Sequence, residues 1–354
     1  DGRPAYGGTP SDQTVIAAIR DLKSRGHAVT LTPFILMDIP SGNGLVDPYS
    51  GASGQPSYPW RGRITVAPAP GQPGSPDKTA AATTQIAAFV GTAAPGHFAI
   101  AGDTVTYTGP PEWTLRRMIL HYAKLAVAAG GVDAFLIGSE LRGLTQVQSG
   151  PGSYPFVAAL VALAADVKAI LGPGTKVSYA ADWSEYFGHH PTDGSGDVHF
   201  HLDPLWSSPS VDAVAIDCYW PLSDWRDGFD HLDRVAGARS IYDLDYLKSG
   251  LTGGEGYDWY YASEGDRDAQ VRTPITDGTG KPWVFRYKDL KSWWLNPHFD
   301  RPGGVESGAP TAWVPQSKPF WLTELGCPSA DKGANQPNVF VDPKSAESFL
   351  PYYS

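Results

Sequence analysis

The strongest constraint on this fold is an alternation. Short apolar, β-branched runs at 28–37, 132–138, 176–181 and 211–217 are separated by stretches of helical periodicity, and a fifth run follows at 319–323. Runs this short and this apolar suit strands buried on both faces, as in a parallel sheet covered by helices. Val15, Ile16, Ile19 and Leu22 share one face of a helix expected over 11–25, with Ser11 to cap it and Gly26 to end it. Further helices are expected over 77–90, from Pro110-Pro111-Glu112 to Ala129, and over 153–171. The strand starts near 132, 176 and 211 are spaced like single βα units. The longer interval before 319 marks an insertion over 221–318. Within it a helix at 240–248 and a hairpin around Asp277-Gly278-Thr279-Gly280 are expected. A second long insertion, rich in Gly, Pro and Ser, covers 39–76, and loops of that length are usually functional. The reading is an α/β fold with parallel βα units, one domain over 1–354.

Composition narrows the function classes. The 40 Gly and 32 Pro in 354 residues raise loop content without a Gly-X-Y period. A formal net charge of -10 with no basic run argues against nucleic acid as a partner. No apolar run is long enough for a membrane-spanning helix, so no membrane insertion is expected. The opening DGRPAYGGTP lacks a signal-peptide pattern and reads as the interior of a chain. Cys218 and Cys327 cannot form a disulfide framework and read as two buried free thiols.

Parallel α/β proteins bind ligands at the carboxyl ends of their strands. Here those ends carry Asp38, then Ser139-Glu140, then Asp182-Trp183, then Asp217, Tyr219 and Trp220, and finally Thr323-Glu324. Two ends repeat each other: FLIGSELRG (135–143) and FWLTELG (320–326) both run from an apolar strand through a small hydroxyl residue to Glu and Leu. A pair of carboxyls is what glycoside hydrolysis needs, one protonated to release the leaving oxygen and one ionised to attack or to activate water. Trp183 and Trp220 are stacking candidates, whereas Trp283, Trp293 and Trp294 are expected to pack the insertion. His189, His190, His199 and His201 lie among aspartates without a zinc-type motif and read as polar loop residues. No metal and no cofactor is expected.

These ends resemble the clan of retaining glycoside hydrolases built on a (β/α)8, or TIM, barrel. A closer similarity is to the barrel domain of the tail-tip protein of gene transfer agents and related tailed phages. It is carried by TPFILMDIP (32–40), FLIGSELRGL (135–144), HFHLDPLWSSP (199–209), KPWVFRYKDLKSWW (281–294) and FWLTELGCPS (320–329). The resemblance implies Glu140 as acid/base, Glu324 as nucleophile and Tyr219 as the hydroxyl that holds Glu324 ionised. Asp38, Ser139, Asp182, Trp183, Asp217 and Trp220, at the strand ends, are the candidate sugar contacts, with helix capping or loop-backbone hydrogen bonds as the equal alternative for Asp38, Asp182 and Asp217. Ser139 departs from the clan, which has Asn there to grip the sugar 2-hydroxyl. If Glu324 ends the seventh strand, the chain holds an incomplete barrel whose first and last strands lie outside it. Glu140 is expected to be protonated at rest because ionised Glu324 is its neighbour. The implied partners are a cell-envelope glycan (polysaccharide or peptidoglycan) and other tail-tip proteins. The implied location is an extracellular, virion-like tail tip after cytoplasmic synthesis. The alternative is a non-catalytic glycan-binding or structural barrel of a tail baseplate hub.

Overall fold

The computed structural model describes residues 8–354, so the first seven residues of the opening segment lie outside the described part. In chain order the strands are β1 (Thr30–Leu31), β2 (Phe98–Ala101), β3 (Thr104–Tyr107), β4 (Ala134–Ser139), β5 (Lys176–Asp182), β6 (Val214–Cys218), β7 (Trp259–Tyr260), β8 (Thr273–Pro274) and β9 (Phe320–Leu325). Five of them form a curled, all-parallel sheet in the order β1-β4-β5-β6-β9, half of a barrel. The strands β2 and β3, and likewise β7 and β8, pair antiparallel outside that sheet. Every residue of β4 and β6 is buried, which is why these segments read as unbroken apolar runs.

The helices that cover the sheet are α1 (Asp12–Ser24), α2 (Ala80–Val90), α3 (Leu115–Ala128), the single turn α4 (Arg142–Thr145) and α5 (Pro155–Leu171). Ser11 caps α1 by accepting a hydrogen bond from the Thr14 amide at 3.2 Å. Helix α3 packs against α1 and α5, and α2 packs against α5. Ile119, Leu120 and Ala123 of α3 and Leu160, Leu163 and Val167 of α5 belong to this core. No helix among the described residues is long and apolar enough to cross a membrane.

Several expectations change. The run 28–37 keeps only Thr30–Leu31 as strand. Among the described residues its sole sheet partner is β4, and beyond Leu31 there is no ladder to extend. Phe34 and Leu36 are accordingly 44% and 72% exposed. The helix expected from Pro110 starts at Leu115, because the Glu112 carboxylate turns back to accept the amides of Thr92 and Ala93. The hairpin β2–β3 was hidden by its Gly102-Asp103 turn, in a stretch that reads as loop. No strands pair across Asp277–Gly280. Instead the Asp277 carboxylate accepts the Lys281 amide at 2.9 Å and Arg301 Nη1 at 3.0 Å. Cys218 is buried and Cys327 exposed, and both are free thiols.

Each strand that leads to a glutamate carries one residue too many. Leu136 pairs with Ser178 and Ser139 with Ala180, so two residues of β4 face one of β5. Ile216 pairs with Leu322 and Asp217 with Glu324, which makes Thr323 an extra residue in β9. Such irregularities re-aim side chains and are frequent beside active sites.

The insertion is anchored by Trp293, fully buried against Tyr186, Trp313 and Phe320. Buried His298 lies beneath it, with Nδ1 at 2.8 Å from Asp203 Oδ2 and Nε2 at 2.9 Å from the Trp293 carbonyl. His298→Ala would leave the buried Asp203 carboxyl with the Thr311 hydroxyl alone as its side-chain partner. It is expected to lower stability by about 3–5 kcal/mol, read as a reduced urea midpoint at unchanged slope.

Candidate active site

The carboxyl ends of the sheet open into a cleft of about 1420 Å³. Glu140 follows β4 directly and adopts φ +50°, a left-handed conformation that costs a non-glycine residue roughly 1–2 kcal/mol. Its position is over-determined. Its amide donates to the Ala180 carbonyl at 2.8 Å, and the next amide, of Leu141, donates to the Tyr179 hydroxyl at 2.6 Å. That hydroxyl donates in turn to buried Glu185 at 3.0 Å. Glu324 lies near the end of β9, two strands past β5. One oxygen from each of Glu140, Asp217 and Glu324 lies within 4.8 Å of the others.

The two glutamates sit in unlike surroundings. The Glu140 side chain is 8% exposed and that of Glu324 is 38% exposed. Burial pushes the Glu140 carboxyl up to about 8, against the opposing pull of Arg61, with Asp182 and Asp217 adding to the rise. The cause is therefore mainly desolvation, not the neighbouring Glu324 that the sequence suggested. Two donors converge on one oxygen of Glu140: Trp60 Nε1 reaches Oε2 at 2.6 Å and Arg61 Nη2 reaches it at 2.9 Å. The acid proton then belongs on Oε1. Glu324 accepts the Tyr219 hydroxyl on Oε2 at 2.8 Å, and Arg61 Nη2 stands 3.6 Å from its Oε1.

The remaining predicted residues separate. Asp38, Asp182 and Trp183 line the cleft. Asp182 also accepts the Ser184 amide at 2.8 Å, and Trp183 packs edge-on against Tyr287. Ser139 is buried, accepting from Arg61 Nη2 at 2.7 Å and donating to Asp217 at 2.8 Å. Asp217 is fully buried, and its carboxyl is raised to about 6, chiefly by that burial. Trp220 is buried in the core away from the cleft lining, which removes it as a stacking surface.

Trp60 and Arg61 were missed by sequence reasoning. They sit where a 3₁₀ turn, Arg61–Arg63, folds the 39–76 loop over the sheet. The Trp60 amide donates to Glu347 at 2.6 Å, and a side chain at Gly143 would meet the Gly62 and Ile64 carbonyls at 2.6 and 2.5 Å. The only available signal was a Trp-Arg pair in a loop already marked as functional by its length.

Among the described residues, Glu140, Asp217 and Glu324 form the one grouping with metal-like spacing. Arg61 already lies against both glutamates, and hydroxyls occupy both Asp217 oxygens, so the charge is compensated from within. The histidines do not act as one group: desolvation lowers His189 to about 3 and His190 to about 4 and lowers buried His201 as well, whereas Asp300 raises His199, and His189 Nδ1 lies 3.0 Å from the Tyr154 hydroxyl.

The sequence profile of the gene-transfer-agent (GTA) TIM-barrel-like domain matches residues 113–354. The chain belongs to this family. No curated protein matches the chain. The part of the GTA TIM-barrel-like domain covered by the profile contains β4, β5, β6 and β9, hence Glu140, Tyr219 and Glu324. Arg61, Trp60 and Asp38 precede the matched residues. The half barrel of five strands agrees with a TIM-barrel-like fold and differs from a closed ring of eight.

Proposed function

We propose that this domain is a retaining glycoside hydrolase, acting on a cell-surface polysaccharide or peptidoglycan glycan from the tail tip of a phage-like particle. The observation that carries this reading is the carboxyl pair. Its oxygens approach within 4.8 Å, the short spacing of retaining rather than inverting pairs. One member is buried and held protonated near neutral pH, and the other is open to the cleft. Environments that push two carboxyls apart in this way assign the acid and the nucleophile.

In the first step Glu140 Oε1 gives its proton to the leaving glycosidic oxygen while Glu324 attacks the anomeric carbon. Arg61 and the Tyr219 hydroxyl hold Glu324 in place. The leaving sugar departs, and Glu140, now anionic, takes a proton from the water that cleaves the glycosyl-enzyme. The cleft exceeds the 300–1,000 Å³ of ordinary small-ligand sites and so suits a polymer. Tyr58, Trp183, Phe340 and Phe349 supply aromatic faces along it. Its walls carry Asp38, Asp182, Asp342 and Glu347 against Arg142 and Lys344, which favours an uncharged or amino-bearing glycan over an anionic one.

The test is to incubate the protein with purified envelope polysaccharide or peptidoglycan and follow new reducing ends, with proton NMR reading the first-formed anomer. Retention of configuration is the expected result. Glycan binding without new reducing ends would replace this reading by that of a binding barrel in a tail hub.

A further inference from the structure

The repeat of a hydroxyl residue before each glutamate has a structural meaning. Ser139 Oγ donates to Asp217 Oδ2 at 2.8 Å, and Thr323 Oγ1 donates to Asp217 Oδ1 at 2.7 Å. One buried carboxylate from β6 thereby grips the residue immediately before Glu140 on β4 and the residue immediately before Glu324 on β9. Arg61 extends the chain, donating to Ser139 Oγ at 2.7 Å while lying against both glutamates. Asp217 itself is fully buried and does not line the cleft.

We infer that Asp217 is the positioning residue of the carboxyl pair: it fixes the separation of Glu140 and Glu324 by holding Ser139 and Thr323, and it does not bind the sugar. The inference deepens the hydrolase reading and rests on it for its kinetic consequences. The two irregular strand registers explain why a clamp is needed. An extra residue in β4 and in β9 interrupts the ladder at the point where each glutamate must be placed, so backbone pairing alone does not set their distance. Both hydroxyls spend their proton on Asp217, and Ser139 spends a lone pair on Arg61, which leaves neither as a free sugar ligand.

The test uses Asp217→Asn, Thr323→Val, Thr323→Ser and Ser139→Ala. Asn keeps the size and one acceptor but removes the charge. For Asp217→Asn the expected result is a kcat lower by roughly 10²-fold, the cost of a misplaced catalytic pair, with KM within about threefold of the parent. Thr323→Val should lose activity likewise and Thr323→Ser should restore it. The double variant Thr323→Val/Asp217→Asn should be no worse than Asp217→Asn, because both remove one contact, whereas Ser139→Ala also removes the Arg61 contact and should cost more than Thr323→Val. A tenfold rise in KM at unchanged kcat would overturn the inference in favour of sugar binding.

A second readout needs no turnover. The charged groups facing Glu140 are Arg61 from the loop, Asp182 from β5, Asp217 from β6 and Glu324 from β9. Carboxyl ¹³C NMR of the folded protein should show the Glu140 titration moving to lower pH in Asp217→Asn, and staying in place in Thr323→Ser. If no glycan is cleaved but this shift occurs, the hydrolase reading fails and the placement of Asp217 in the cluster stands. If the Glu140 midpoint does not move, the inference itself falls.

Discussion

Glu324→Gln is expected to abolish glycan cleavage, by on the order of 10⁴-fold or more, the scale seen when a covalent nucleophile is removed. The amide keeps the size and still accepts the Tyr219 hydroxyl, so the fold and the cleft should persist. The decisive control is Glu324→Gly with added azide. A small anion in the vacated space can attack the anomeric carbon from the same side, giving a glycosyl azide of configuration opposite to the substrate. Recovery of that product identifies Glu324 as the attacking group. Full activity in Glu324→Gln would remove it from the mechanism, and with it the proposed reaction.

Glu140→Gln is expected to cost about 10²–10⁴-fold on natural glycans, the usual worth of general acid–base catalysis. The loss should be small in the first step for aryl glycosides with activated leaving groups, which depart without a proton. In the parent protein kcat/KM should fall on the alkaline side with a midpoint near 8, where Glu140 loses its proton, and this limb should vanish in Glu140→Gln. Stability carries the same signature. Between the ordinary value of 4.5 and about 8, the folded protein holds a proton on Glu140 that the unfolded chain has released. The native state then binds more protons, so this group's contribution falls as pH rises through that window. Glu140→Gln should flatten the dependence and be the more stable protein above pH 8. Urea midpoints at pH 5, 7 and 9 measure it. A parent protein whose stability is indifferent to pH across the window would show that Glu140 is not the buried acid.

What was legible in the sequence was local. The four later strand runs that end on carboxylates, the matched FLIGSELRG and FWLTELG segments, and the Ser11 cap each depend on a few neighbouring residues, and each holds in the fold. What was illegible depended on contacts across the chain. Arg61 reaches Glu140 only because its loop is seated on Gly143 and tied to Glu347, both remote in sequence. The first strand shortens because a strand is defined by its partner, and among the described residues only β4 offers one. The raised carboxyl of Glu140 was foreseen with the wrong cause, since depth of burial is a property of the assembled cleft. Trp220 sits at a strand end as expected, yet its side chain turns into the core, a choice that strand position alone does not make.

The extra residue in β4 and the extra Thr323 in β9 also bear on how this sequence tolerates drift. In most loops the gain or loss of one residue is absorbed at little cost. Here a single deletion at 137–138 or at Thr323 would restore an even ladder and remove the irregularity that aims the following glutamate. Such a deletion would leave every catalytic side chain in the sequence and remove the site from the protein. Any comparison of sequences in this family should therefore align the two strands by length before it compares their residues.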